Sequence, residues 1–537
     1  MVWNLSVQSY YKNKIFIILG IISLTSILVK LYSVDFTLPI YSDSFDTTMR
    51  AFAHLGGNFD VSLNRNFGWS LFQSPFLLLV NSDNFLDYSQ VIRLLGMGVS
   101  TVSIFVMYLL SRKFFNEKYS LVAASLFAFS PQLNQIAGLG QTEPLFILCL
   151  MGSLFFILRK NNDKIIFLSF ALAGIAYSIR PMGMSMLVIL SIIYFINFRK
   201  NRKYSKFILC IFLFLLTIFP ISLIRYEQYE DPLFYGDVSR GFVTSSSMLY
   251  AENVEPVTST EFIQNNGLDV FLKKFILSGI FNSFKGIVSV SLPYLIILIP
   301  VGLILSTKLK SEIKNFILAN WVLIISYSAS LIVVSSILLS PRFFLPLVPF
   351  LIIISILPIQ KICDLNLKMK NFQTLSLASI IFIILTSSVV YTYFEYPPPD
   401  FTLESEKLEF ALYLHHNLDG KFFSSGWSTH YFSYVHVTDN NLFKTFYLDE
   451  NHLIKNDKVQ RLQLYGSSIN EIILDGEKLD LNYLVIDDKN VDLNFLDQIY
   501  LKEDVYPYLT KVFDSNNEGY EKLKVKVFKI DYEQFYN

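Results

Sequence analysis

The sequence predicts a polytopic α-helical membrane protein with about eleven transmembrane helices and an extracytoplasmic C-terminal α/β domain. Three observations carry that prediction. The chain of 537 residues is 53% hydrophobic and 16% aromatic, with a mean hydropathy of +0.44, too apolar for a soluble protein of this size to keep its surface wet. Long apolar runs recur, and Lys and Arg collect in short clusters between them. After residue 396 the long runs stop and charge rises.

A stretch of ~20 apolar residues crosses the hydrocarbon core of a bilayer. Such stretches fall at 15–34, 90–111, 119–136, 142–158, 164–179, 182–198, 206–224, 287–306, 315–339, 343–360 and 372–394. The first is long and has no small-residue cleavage site before Asp35, so it reads as a retained helix and not as a signal peptide.

Orientation follows from the basic clusters. Lys12/Lys14, Arg112/Lys113/Lys118, Arg159/Lys160/Lys164, Arg199/Lys200/Arg202/Lys203/Lys206, Lys308/Lys310/Lys314 and Lys361/Lys368/Lys370 all fall on one side of this set of spans. The positive-inside rule makes that side cytoplasmic. The N-terminus is then expected in the cytoplasm of a cell-membrane protein. The segments at 35–89, 137–141 and 225–286 and the junctions at Arg180–Pro181 and Ser340–Arg342 are expected to face outward. The expected domains are a membrane domain at 1–396 and a soluble extracytoplasmic domain at 397–537.

Tyr396-Pro-Pro-Pro-Asp400 reads as a stiff linker between the two. Beyond it, Leu403–His416 has helical spacing, while Tyr483–Ile486 and Val525–Ile530 have the short, bounded apolar character of strands. Formal net charge is zero, which argues against a nucleic-acid partner. The only cysteines, Cys149, Cys210 and Cys363, lie in or beside apolar runs and supply no disulfide framework.

Candidate chemistry lies at the outward ends of the spans. In Tyr41-Ser-Asp-Ser-Phe-Asp-Thr-Thr-Met-Arg50, Asp43 and Asp46 are three apart and share a face if a helix begins near Ser42. Asn64-Arg-Asn-Phe-Gly-Trp-Ser-Leu-Phe-Gln-Ser-Pro-Phe76 joins polar groups to an apolar run too short to span, and is expected in the membrane interface with Trp69 at headgroup depth. Glu143, followed by Pro144, suits a helix first turn. Arg180, in Ile179-Arg-Pro-Met-Gly183, and Arg342, in Ser340-Pro-Arg-Phe-Phe-Leu-Pro346, run against the positive-inside trend, and a charge near the bilayer needs a partner or a water-filled cavity.

The order of these motifs, the acidic first loop, "GWSLFQSPF", "TEPLF", "SIRPMG" and "PRFFLPLVP", resembles the polytopic glycosyltransferases of the GT-C superfamily, which includes protein O-mannosyltransferases and lipid A aminoarabinose transferases. The resemblance spans about 35–350 in scattered short motifs. It implies transfer of a sugar from a polyprenyl-phosphate carrier to a protein, lipid or glycan acceptor at the outer face, with inversion. It also implies that Asp43 matches the family's first-loop base. The family often has an acidic residue directly afterwards where this chain has Ser44, which leaves Asp46 as a substitute.

These residues suit that chemistry. A carboxylate takes the acceptor's proton, and arginines hold the carrier phosphate bidentately as it leaves; Arg180 and Arg342 are the candidates. His54, Arg65 and Asn66 stand near enough in sequence to touch sugar or headgroup. His415–His416, His430 and His436 show no metal-ligand spacing, so no cofactor is implied, although a divalent metal is compatible with the chemistry. The alternative is a transporter or flippase of lipid-linked sugars, which places ionisable groups near the midplane in repeated halves. Here the charged candidates gather at outer ends and no internal repeat is evident.

Overall fold

The computed structural model describes residues 2–59, 66–159, 165–197, 204–235, 241–308, 312–365, 370–397, 400–439, 443, 458–490, 493 and 495–537. Arg65, Lys160, Lys164, the basic run at 199–203, Lys310, Lys368 and Pro398–Pro399 lie outside these residues.

The first half is a run of helices: α1 (Val2–Tyr32), α2 (Ser42–Leu55), α3 (Gly68–Leu77), α4 (Phe85–Ser111), α5 (Glu117–Ala128), α6 (Pro131–Gly138), α7 (Glu143–Ile157), α8 (Ile165–Ile179), α9 (Ser185–Asn197) and α10 (Tyr204–Tyr229). After α11 (Ser259–Asn266), a helix enters at Leu268 and passes through one π-helical turn, Leu272–Leu277, into α12 (Ser278–Val290). Then come α13 (Leu295–Thr307), α14 (Glu312–Ser330), α15 (Ile332–Ile337), a 3-10 turn Pro341–Leu347, α16 (Val348–Leu365) and α17 (Lys370–Glu395).

Lys14–Tyr32, Phe85–Ser111, Tyr204–Tyr229 and Pro341–Cys363 are each long and apolar enough to cross a membrane alone. Leu268–Val290 and Leu295–Thr307 are long and apolar enough only together, and their 111° bend is that of a broken span or of a re-entrant loop. Shorter apolar helices fill in around them, and large apolar side chains such as Phe16, Phe212, Phe219, Phe382 and Phe394 stand exposed on α1, α10 and α17, as lipid-facing side chains do.

Three predicted runs are not single helices. The run 119–136 is α5 and α6, broken at Phe129–Ser130, because the residue before Pro131 is pushed out of the helical region and Pro131 opens a new helix. The carbonyls freed by the break are met by side chains: Ala128 O accepts from Ser26 Oγ (2.8 Å) and Asn134 Nδ2 (3.1 Å), and Phe129 O from Ser388 Oγ. The run 287–306 bends between Val290 and Leu295, and 315–339 breaks at Leu331.

The C-terminal part folds as α18 (Phe401–Asn417), β1 (Gly420–Ser424), α19 (Phe432–Asp439), β2 (Val459–Leu462), α20 (Ile469–Glu477), β3 (Leu481–Asp487), α21 (Phe495–Leu501), β4 (Leu509–Asp514), β5 (Val525–Ile530) and α22 (Tyr532–Tyr536). The sheet order is β2-β1-β3-β5-β4, with β1 parallel to β2 and β3, and β5 antiparallel to β3 and β4. Alternate residues feed two cores: Leu484, Ile486 and Phe528 pack under α20 and α21, while Val485, Val525 and Val527 pack with Phe410 and Leu414 of α18.

Ring packing and hydrogen bonds seat this part on the helical body. Tyr434 and Val437 of α19 and Phe443 pack with Phe45, Phe85 and Tyr88 of α2 and α4. On the other side, Asn253 bonds Tyr465 in both directions (Nδ2 to O 2.8 Å, N to Oδ1 3.0 Å), and Glu252 N donates to Gln463 O.

Candidate functional site

The site begins where α2 begins. Tyr41 caps it in extended conformation and Ser42 sits at φ +53°, a left-handed conformation that L residues adopt at a cost. Surrounding contacts hold that start in place. The Tyr41 ring stacks on His430 (centroids 4.5 Å apart) and meets Tyr431 edge-on, and Ser44 Oγ donates to Leu139 O (2.6 Å). Ser44 therefore ties α2 to the corner before α7. The His430 ring is itself held by Glu404, which also accepts from Tyr431 Oη (3.0 Å) and Lys407 Nζ (2.6 Å). Burial pushes the Glu404 carboxyl up, but the hydrogen bonds from His430 and Lys407 outweigh it and bring it down to about 2.

Asp43 lies in the first turn of α2, and its Oδ2 accepts from Arg342 Nη1 at 2.7 Å. Arg342 Nε donates to Glu143 Oε1 (2.8 Å), and the same oxygen accepts from Arg180 Nη1 (2.6 Å). Four residues from four distant segments thus form one chain of charge-assisted bonds. Its floor is closed and its mouth open: the side chains of Glu143, Arg180, Arg342 and Asp43 are 0%, 9%, 28% and 41% exposed in turn. The quartet is formally neutral, as a buried set must be to offset its desolvation.

Local sequence explains each placement. Glu143 opens α7, where unpaired N–H groups favour a carboxylate. Arg180 is left extended (φ −147°, ψ 140°) by Pro181, so its side chain leaves the axis of α8, and its guanidinium lies over the ring of Phe343 at 5.5 Å. Arg342 follows Pro341 at the start of the 3-10 turn.

Asp46 does not join the quartet. It pairs with Arg50, one helical turn on (3.0 Å), so the two carboxylates of α2 face different arginines. Nε and Nη1 of Arg50 are buried with no hydrogen-bond partner among the described residues. His54, a candidate from sequence, lies three turns from Asp43, about 16 Å along the axis. It packs between Phe59 and Phe67, and burial, with Arg50 nearby, lowers its pKa to about 4, so it is a neutral ring.

Asn66 and Trp69 are also placed elsewhere. Asn66 donates to Tyr177 O (2.5 Å) and accepts from Arg225 Nη2 (3.1 Å). Trp69 is wholly buried, its Nε1 donating to Gly140 O (3.0 Å), so the indole meets protein and not headgroups. Gly68 shows why: a Cβ there would lie 2.7 Å from the backbone of Ser178, so α3 crosses α8 at a separation only glycine permits. The interfacial reading of this segment is therefore corrected: its polar and aromatic groups brace α3, α8 and the corner before α7.

Arg50, Arg93 and Arg225 were not singled out from sequence. Arg93 of α4 donates from Nη2 to Leu38 O and Pro39 O (3.1 Å each), holding the approach to α2, and Arg225 of α10 holds Asn66 and Tyr177. Arg93 and Arg225 are charges inside apolar helices, and that was the available signal.

The family model for dolichyl-phosphate-mannose-protein mannosyltransferases matches residues 76–224. Among solved structures, ArnT from Cupriavidus metallidurans bound to undecaprenyl phosphate aligns with a TM-score of 0.53 at 11% identity, over 95% of this chain and 97% of that one. The Archaeoglobus fulgidus oligosaccharyltransferase AglB, in complex with an inhibitory peptide and a dolichol-phosphate, aligns with a TM-score of 0.53 at 11% identity, over 89% and 70%. The same oligosaccharyltransferase tethered to an acceptor peptide aligns with a TM-score of 0.53 at 10% identity, over 87% and 69%. No curated protein matches the sequence.

Proposed function

Starting from a multi-pass membrane chain that has the GT-C glycosyltransferase fold, we propose that it transfers a sugar from a polyprenyl-phosphate carrier to a hydroxyl acceptor, with inversion, and that Asp43 is the general base. The observation that carries this reading is the quartet. A carboxylate at its exposed end lies directly against an arginine whose other bonds reach a buried counter-charge.

In this reading the acceptor oxygen attacks the anomeric carbon on the face opposite the phosphate. Its proton passes to the Asp43 carboxylate, and the carbon–oxygen bond to phosphate breaks, the electron pair leaving with polyprenyl phosphate. Arg342, backed by Arg180, takes the developing phosphate charge. Because the quartet is neutral at rest, an arriving phosphate competes with Asp43 for Arg342, so donor binding loosens the base as it loads the leaving group.

The same reading places the N-terminus in the cytoplasm, the eleven predicted spans in the membrane and residues 397–537 outside it. Structural neighbours that hold undecaprenyl phosphate and dolichol-phosphate favour a transferase over a lipid-linked-sugar transporter.

The test uses the full chain in nanodiscs with a panel of undecaprenyl-phosphate-linked sugars, measuring release of undecaprenyl phosphate. Asp43→Asn should lower turnover by ~10²–10⁴ while still binding undecaprenyl phosphate. A greater loss from Asp46→Asn moves the base to Asp46. Full turnover by both single variants and by the double variant refutes the mechanism.

A further inference from the structure

The ends of α18 and α19 bring together three metal-binding side chains that lie apart in sequence. His415 and His416 close α18, and Asp439 closes α19. Their donor atoms all lie within 4.8 Å of one another. His416 Nε2 is 2.7 Å from Asp439 Oδ2 and His415 Nε2 is 3.4 Å from the same oxygen.

We propose that His415, His416 and Asp439 bind a divalent transition metal of the zinc class, which fastens the end of α18 to the end of α19. The longer separation is the first argument. A tetrahedral ion with ligands at about 2.0–2.2 Å sets their donor atoms about 3.3–3.6 Å apart; His415 already stands at such a separation, 3.4 Å, whereas the exposed His416 ring, hydrogen-bonded to Asp439 at 2.7 Å, has to exchange that bond for the ion and draw back. The second is the state of His415. Its ring is buried, and its Nε2, the nitrogen that faces Asp439, makes no hydrogen bond among the described residues, so the atom that would bind an ion is not engaged by another protein donor or acceptor.

The ring of His436 stands perpendicular to that of His415 at 5.5 Å, and Lys458 Nζ donates to the carbonyl of His416 at 2.6 Å. Two imidazoles and one carboxylate suit zinc, cobalt or nickel better than calcium or magnesium, which prefer all-oxygen shells. The exposed edge of His416 leaves a fourth position to solvent. The ion would brace the docking face itself, because α19 carries Tyr434 and Val437 into the contact with Phe45 and Phe85.

The experiment takes full-length protein stripped with a chelator and titrates it with Co²⁺, then displaces the Co²⁺ with Zn²⁺. One equivalent of Co²⁺ should bind with the visible absorption of a low-symmetry site, and Zn²⁺ should raise the thermal transition. Replacing buried His415 risks the fold, so the variants are His416→Ala and Asp439→Asn at the exposed ligands. Each should weaken Zn²⁺ by about 100-fold or more, since even outer-shell changes cost up to that much. Absence of saturable Co²⁺ binding in the wild type overturns the proposal, as does equal uptake by the double variant. Neither readout involves sugar transfer, so the outcome stands apart from the function proposed above.

Discussion

Two pairs of arginines in the helical body differ in what they hold. Arg180 and Arg342 reach carboxylates, whereas Arg93 and Arg225 donate to neutral oxygens: backbone carbonyls for Arg93, the Asn66 amide and Tyr177 hydroxyl for Arg225. The pair on carboxylates ends in a half-exposed Asp43, the open end of the set, where the proposed donor phosphate would enter. The pair on neutral oxygens braces chain segments, clamping the approach to α2 and the entry to α3. What separates the pairs is the partner, and a partner in a distant segment leaves no mark beside the arginine.

The comparison is tested most severely at Glu143. Glu143→Ala leaves two guanidiniums facing a hole and should cost about 3–5 kcal/mol of stability, read as a lowered thermal transition in detergent; a change below 1 kcal/mol would mean the quartet is not an electrostatic unit. Arg225→Met tests the other pair. It should cost about 1–3 kcal/mol through the Asn66 and Tyr177 oxygens left unmatched, yet leave affinity for undecaprenyl phosphate unchanged in the folded fraction. Lost affinity there would erase the distinction between bracket and site. Arg342→Lys keeps charge but loses the fork spanning Asp43 and Glu143, so undecaprenyl phosphate should bind roughly tenfold more weakly with little change in stability.

The pH dependence tests the flanks of the quartet. His54 is lowered from 6.5 to about 4, so its contribution to stability is complete above 6.5 and is lost as pH falls from there to 4. Glu404 is lowered from 4.5 to about 2, so its contribution holds above 4.5 and is lost below that. Acid should therefore loosen α2 before it loosens the seat of Tyr41, and His54→Phe should flatten the slope between pH 6.5 and 4 in a denaturation series.

Sequence reading reached the four members of the quartet because each carried a local anomaly: an acid in a first turn, or an arginine beside proline on the wrong side of the charge bias. It did not show that they meet, which depends on how α2, α7, α8 and the 3-10 turn pack. His54, Asn66 and Trp69 were drawn in by proximity in sequence, but an amide, an indole and an imidazole beside bulky rings found partners within the protein. The break at Ser130–Pro131 hid inside an even apolar run. In the C-terminal domain the two strands read in advance match β3 and β5, whereas β2 is four residues long and β4 shifts register and does not alternate, so periodicity had little to register. The cluster at His415, His416 and Asp439 is again a meeting of two helix ends.

The stack of Tyr41 on His430 joins the start of α2 to the C-terminal part of the structure. A ribosome delivers Tyr41 long before His430, and segments fold in the order they emerge. Until His430 arrives the start of α2, with Ser42 in its costly conformation and Asp43 beside it, leans on Leu139, Arg93 and Arg342 but lacks the stack on Tyr41. Phe45, Phe85 and Tyr88 likewise await Tyr434 and Val437. The half-made chain therefore carries the start of α2 partly braced and an apolar patch uncovered, and arrival of α19 and the residues before it closes both at once.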